Sequence, residues 1–311
     1  MKGMELARGY YEECARDQIA ATFPQYAGRI AVGLVGEGSE CYGYDDSYSQ
    51  DHDFGPGFCL WLDADTAKAI GRDLQRLYDQ LPKEFRGYTR NETPEGKGRV
   101  GVFRIDYFYQ RYTNCPGAPE DNLAWMNVPE RFLSIATNGQ VFSDPQGAFT
   151  AIRNKLLGFY PQDVLRKKLA ARAAVMGQAG QYNYPRCIQR GDRGAAFLAL
   201  HDFVEAGLSA LYLLNRKYMP FYKWAFRGTE QLTMLGASVE SLKKIVDPSV
   251  QASPQEVQQH IESICVEVAG ELNRQGFSSV SDTFLSAHCG QIMAGITDPR
   301  LRGLHVMADC D

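Results

Sequence analysis

The 311-residue sequence has no basic excess. Its 33 Lys and Arg stand against 37 Asp and Glu, for a formal net charge of −4. Non-specific nucleic-acid binding rests on neutralising phosphates, so a nucleic-acid partner is not expected, although a local basic patch is compatible with the total. No C-x-x-C pair occurs among the eight cysteines, and the five histidines stand at no zinc-ligand spacing to them. Neither a zinc framework nor a disulfide scaffold is expected. Scattered thiols such as Cys59, inside an apolar run, suit small buried side chains in a reducing cytoplasm. No run of about 18 apolar residues without charge is found, so no membrane association is expected. Met1–Arg8 has no continuous apolar stretch, so no signal peptide is expected either. Repeats and low-complexity segments are also missing.

What is present is ordinary globular material, 44% hydrophobic and 23% charged, in a chain long enough for two cores. Leu6, Tyr10, Cys14, Ile19 and Phe23 predict a helix over 5–23, stopped by Pro24. The run 30–35 reads as a buried strand entering a tight Gly-Glu-Gly-Ser turn. Residues 40–48 read as a short helix or turn, and 53–62 as a second strand. Asp65 is the expected N-cap of a helix reaching Gln80. A loop over 91–98 precedes an expected strand over 100–109, rich in β-branched and aromatic residues. A helix over 123–136 and a strand over 140–142 follow. Beyond about Thr150 the strand signals stop and helical patterns take over. The expected class is α+β: an α/β domain with a short mixed sheet over 1–149, then an all-helical domain over 150–311.

The informative stretch runs from Gly36 to Gly55. It is no Walker P-loop, because Gly33 to Ser39 has no Lys before the Ser. Cys41 stands where a dinucleotide fingerprint needs its third Gly, and Gly55 stands at a ligand position of a calcium loop. What remains is a strand ending at Gly38-Ser39, a spacer of eleven residues, and Asp51-His52-Asp53 leading into a strand. Two carboxylates at i and i+2 of a strand share a face. They repel unless a cation lies between them, and Mg²⁺ prefers such oxygens. His52 then faces the other way, as a core or hydrogen-bonding residue. Gly38 lets backbone N–H groups approach a triphosphate, and the Ser39 hydroxyl can donate to it. Asp45 and Asp46 read as turn-forming groups.

These elements resemble the DNA polymerase β-like nucleotidyltransferase superfamily, marked by an apolar strand, G-[GS], a spacer of about ten residues and D-x-[DE]. More narrowly, residues 38–58, with Ser49-Gln50-Asp51-His52-Asp53-Phe54-Gly55 at their centre, are similar to the DUF4037 family. So is Leu214-Asn215-Arg216-Lys217-Tyr218 through Trp224. The resemblance implies a third carboxylate on a later strand. Asp106, set among Val102, Phe103, Ile105 and Phe108, is the candidate. An ion pair with Arg104 is its rival reading.

The implied activity is Mg²⁺-dependent transfer of a nucleotide, AMP from ATP, to a hydroxyl of a small-molecule acceptor. One Mg²⁺ (or Mn²⁺), held by Asp51 and Asp53, carries the nucleoside triphosphate. A second, held by these and Asp106, activates the acceptor, and pyrophosphate leaves against Gly38-Ser39. By analogy the helical half closes over the nucleotide. Its cation-rich segment from Arg153 to Arg193 reads mostly as a solvated face, with one or two side chains reaching phosphate. Glu205 is the candidate general base, against an exposed or ion-paired reading. Lys223 is a candidate phosphate contact, against snorkelling over Trp224. Transfer to a protein or RNA end is the alternative within the same chemistry. A non-catalytic nucleotide-binding regulator, antitoxin-like, is the alternative outside it.

Overall fold

A computed structural model describes residues 1–50, 53–94, 96–249 and 252–309. The protein is α+β, 61% helical, with a small mixed sheet of 4 strands. Two compact units divide it: Met1–Pro119 with Phe132–Gly158, and Glu120–Arg131 with Phe159–Asp311. The chain therefore passes between units at three points, where a single boundary at 149/150 was expected. The short segment 120–131 belongs with the later helices.

The sheet of the first unit is built on β1 (Ala31–Leu34) and β2 (Cys59–Leu62), which are antiparallel with Val32 opposite Leu60. Two two-residue strands, β3 (Glu84–Phe85) and β4 (Tyr88–Thr89), form a separate hairpin. Outside β2 lies β5 (Gly101–Arg104), parallel to it, and outside β1 lies β6 (Gln140–Ser143), antiparallel. The order is β5-β2-β1-β6. All four residues of β2 are wholly buried, as a continuous apolar run requires when both faces of a strand are covered. Leu60 and Leu62 join Leu6, Tyr10, Ile70 and Leu74 in one core layer. Trp61 points the other way and stacks on Phe149, with ring centroids 3.9 Å apart. At Gly33 a side chain would collide with the Gln140 carbonyl, where the β1–β6 register shifts.

The first helix, Gly3–Tyr10, passes through a wider turn at Tyr11–Ala15 into Arg16–Thr22. The helix Ala64–Gln80 is capped by Asp63, which accepts from the Thr66 amide at 2.9 Å and the Thr66 hydroxyl at 2.7 Å. Asp65, the expected cap, lies in the first turn instead. The expected strand over 53–62 is confined to its last four residues. The expected strand over 100–109 ends at Arg104, and Ile105–Thr113 is a helix. Ile105, Phe108, Tyr109 and Tyr112 are all buried. Their i, i+3, i+4, i+7 spacing makes one helical face, and packing that face outweighs the β preference of the aromatic residues.

In the second unit, Gln162–Val175 continues through Met176–Asn183 into Tyr184–Gln189. The 22-residue helix Arg193–Leu214 packs against it. By length and composition that helix could cross a membrane, yet 56% of its most apolar window is buried inside the protein. Pro254–Arg274 starts at a reciprocal cap between Ser253 and Glu256.

Candidate functional site

Strand direction decides which loops meet. β1 runs antiparallel to β2, and β2 parallel to β5, with Gly33 opposite Cys59 and Cys59 beside Gly101. The turn after β1, the segment before β2 and the segment before β5 therefore gather at one edge of the sheet. Residues 36–39, 53–58, 93–94 and 96–100 make up that edge. Asp106 follows the far end of β5. Four strand residues at about 3.3 Å each put roughly 13 Å of strand between it and that edge.

Asp53 sits at this edge, 5% exposed, with φ of 56°. It is thus in a loop, not on a strand, and Asp is among the few residues that tolerate the left-handed region. The Thr93 amide donates to Oδ1 at 2.7 Å and the Thr93 hydroxyl to Oδ2 at 2.7 Å. Arg99 Nη1 donates to Oδ2 at 3.4 Å. The Asp53 amide donates to the Asn91 carbonyl at 2.8 Å, tying the two loops together. A side chain at Gly96 would overlap the Asp53 carboxylate. Asp51 and His52 lie outside the described residues.

A chain of alternating charge continues from Asp53. Arg99 also faces Glu37 across 3.7 Å, and Arg111 Nη2 donates to Glu37 at 2.8 Å. Arg90 packs its guanidinium along Gly57 and donates to Glu92 at 3.3 Å. Among the described residues, Arg90 Nη2 and Arg99 Nε are buried with no hydrogen-bond acceptor. Sequence reading missed Glu37, Thr93, Arg90 and Arg99. The available signal was two arginines bracketing a polar, Gly-containing loop beside an apolar strand.

Gly38 has φ of 122° and precedes the short helix Ser39–Tyr42. The Glu40 carboxyl folds back over it: a Cβ at Gly38 would meet Glu40 Oε2 at 2.5 Å. Burial pushes the Glu40 carboxyl above its ordinary value, opposed by its own backbone N–H and by Arg90 and Arg99. The turn expected to cradle phosphate thus carries an acid of its own. Asp46 accepts from the Tyr48 and Ser49 amides, a local turn. Asp45 is buried and accepts from the Gly3 amide at 2.9 Å.

Asp106 differs from its expected setting in two ways. It lies in the first turn of a helix, and its carboxylate takes a paired interaction from Arg104, at 3.0 Å from Nε and 2.5 Å from Nη2. That guanidinium, with the Tyr107 amide, holds the carboxyl below its usual range despite a desolvation penalty. The Arg104 pairing is the observed state. Among the described residues, no three His, Cys, Asp or Glu side chains gather as a metal site.

In the helical unit, Glu205 is exposed on Arg193–Leu214, and its neighbour at helical spacing, Tyr212, is buried and donates to the Ala225 carbonyl at 2.7 Å. Lys223 is exposed, its Nζ 5.0 Å from the Trp224 ring, the snorkelled arrangement. The cation-rich segment is solvated only in part: Lys155, Arg186, Arg190 and Arg193 are exposed. Lys167, Lys168 and Arg172 are buried.

Residues 125–225 match a family model described as a domain of unknown function (DUF4037). The match supports the DUF4037 resemblance and contains the 214–224 block. It leaves the Gly38-to-Phe58 block outside the matched span. No curated protein matches the chain. Within the DUF4037 span fall Glu205, Lys223 and all three buried cations, and the span also takes in Phe132–Gly158 of the first unit.

Proposed function

We propose that the protein is a nucleotidyltransferase whose nucleotide site is the sheet edge around Asp53. The observation that carries this reading is the convergence of three separate segments there. The turn after β1 brings Gly38-Ser39, the segment before β2 brings Asp53, and the segment before β5 brings Arg99. Arg90 keeps a buried N–H without an acceptor among the described residues, and Arg99 Nε has the Glu37 carboxylate only at 3.7 Å, beyond hydrogen-bond distance. A triphosphate supplies such acceptors, and charge-assisted bonds to phosphate are among the strongest a protein makes. The substrate is a nucleoside triphosphate, ATP in the first instance, and the acceptor a small hydroxylated molecule in the cytoplasm.

Asp53 offers hard oxygen donors suited to Mg²⁺, and with Asp51 it would hold one ion. Bound there, Mg²⁺ neutralises charge on the triphosphate. The expected second ion, shared with Asp106, does not fit, because Asp106 is at the opposite edge and paired with Arg104. The protein's own share is positioning. Thr93 fixes the Asp53 carboxylate, and Glu37 holds Arg99 and Arg111 in place. On entry of the triphosphate, Arg99 exchanges Asp53 for a phosphate oxygen. Glu205 and Lys223, both exposed, lie in the helical unit, and no contact at the sheet edge is assigned to them.

A second reading, nucleotide binding without turnover, is favoured by one observation: the third carboxylate is remote. The test is incubation of the protein with Mg²⁺ and each nucleoside triphosphate in cell extract, reading pyrophosphate and the mass of any labelled acceptor. Nucleotidyl transfer predicts pyrophosphate release that Asp53→Ala abolishes without unfolding. Release at the wild-type rate by Asp53→Ala ends the proposal. Binding of Mg-ATP with no product on any acceptor selects the second reading.

A further inference from the structure

The helix Gln162–Val175 carries three cations that are buried: Lys167 at 0%, Lys168 at 1% and Arg172 at 9% exposure. All three turn toward one short segment, 305–309, which is neither helix nor strand. Lys167 Nζ donates to the Val306 carbonyl at 3.0 Å and the Ala308 carbonyl at 2.7 Å. Lys168 Nζ donates to Asp309 Oδ1 at 2.7 Å, and Arg172 Nη1 to Asp309 Oδ2 and to the Asp309 carbonyl at 3.2 Å. Behind them, Arg172 Nη2 reaches Glu130 at 3.1 Å, and Ser209 bridges Arg172 Nε and Glu130 at 2.9 and 2.6 Å. Every group named here lies in the helical unit.

We propose that Lys167, Lys168 and Arg172 form a binding site for a phosphate-bearing ligand, and that the Asp309 carboxylate stands in for it. Three features separate this from a lock that merely ties down a segment. First, buried cations are a costly way to hold a chain, since apolar side chains of similar size hold as well or better. Second, the segment has no anchor of its own. No residue from 305 to 309 is fully buried, and Asp309 has φ of 95°, a region disfavoured for any residue with a Cβ. What holds it is a set of oxygen acceptors, the same chemistry a phosphoryl group offers in compact form. Third, polar capacity is left over at the same place. The Tyr160 hydroxyl, which can donate to a phosphate oxygen, is buried with no hydrogen-bond partner among the described residues. The Tyr160 ring lies 5.1 Å from Lys168 Nζ. A tetrahedral phosphate is larger than a carboxylate and presents more oxygens. It reaches the Tyr160 hydroxyl while keeping the three cations, and segment 305–309 is displaced.

The inference rests on the helical unit alone and stands whether or not the sheet edge transfers nucleotides. The test uses the full chain with inorganic pyrophosphate as probe, read by calorimetry and by hydrogen exchange of amides 305–309. In the wild type, saturating pyrophosphate is expected to abolish amide protection over 305–309. Asp309→Ala is expected to bind pyrophosphate at least tenfold more tightly than wild type. Adding Lys168→Met to Asp309→Ala is expected to remove that gain, which excludes binding elsewhere in the chain. Should Asp309→Ala fail to fold, Asp309→Asn carries the same comparison, because it keeps the shape and an acceptor. Unchanged protection at saturating pyrophosphate, or equal affinity in wild type and the Asp309 variant, reduces the cluster to an ion-paired lock and overturns the proposal.

Discussion

Thr93 holds both oxygens of Asp53, with its amide on Oδ1 and its hydroxyl on Oδ2, each at 2.7 Å. The acid is thereby fixed in a left-handed backbone conformation at the edge of the sheet. Thr93→Val removes one of these two donors and keeps the shape. A hydrogen bond to a charged partner contributes about 1.5–3 kcal/mol, so Thr93→Val should lose about that much stability in urea denaturation. Thr93→Ser, which keeps the hydroxyl, should lose less than half of it.

Arg99 connects Asp53 to Glu37. If it turns to phosphate when nucleotide enters, Arg99→Met should weaken Mg-ATP binding by tenfold or more in calorimetry, with little loss of thermal stability. Arg99→Lys should recover only part of the affinity, because a lysine cannot supply the planar fork. Equal affinity for wild type and Arg99→Met would remove Arg99 from the site.

Asp106 supplies the sharpest test of the strand-direction argument. Its ion pair with Arg104 is about one-third exposed on both sides, and such pairs contribute about 0–1 kcal/mol. Asp106→Ala should therefore cost no more than this and leave pyrophosphate release within twofold of wild type. Loss of release in a folded Asp106→Ala protein would restore the three-carboxylate site.

Glu40 predicts a pH dependence with a definite sign. Burial raises its folded-state value above the ordinary 4.5, so folding favours the protonated form. Its contribution to stability is complete below the unfolded value and is lost as pH rises through the folded value. Glu40→Gln imitates the protonated form at every pH. Denaturation curves should nearly coincide for the two proteins near pH 4, and Glu40→Gln should be the more stable above the folded value. A constant difference across that range would remove burial of Glu40 as the cause.

Gly38→Ala should destabilise by about 1–3 kcal/mol, the usual cost of a strained backbone position. The φ of 122° and the 2.5 Å approach to Glu40 both oppose a Cβ. Adding Glu40→Ala should relieve the contact and leave the φ penalty, so the paired variants separate the two causes by denaturation.

Some of this protein was fixed locally and could be read directly. The apolar run of β2 and the Ser253/Glu256 start of the helix Pro254–Arg274 follow from composition and capping within a few residues. The tight turn at Gly38 follows from the need for a residue without a Cβ at positive φ. The end of β5 was not legible. Val102 to Tyr109 satisfies a strand pattern, and only the packing of Ile105, Phe108, Tyr109 and Tyr112 on one face makes the second half helical. Asp106 follows the far end of β5, away from Asp53, because of the direction of the strand. The helix Gln162–Val175 shows the same limit. Its charges read as a solvated face, because periodicity registers that Lys167, Lys168 and Arg172 are polar but not that chain far along the sequence covers them. Local sequence determined β2, the turn at Gly38 and the start of Pro254–Arg274, through short-range sterics and capping. The tertiary structure alone decided which charges meet, because their partners, Thr93 for Asp53 and Asp309 for Lys168, lie 40 and 141 residues away.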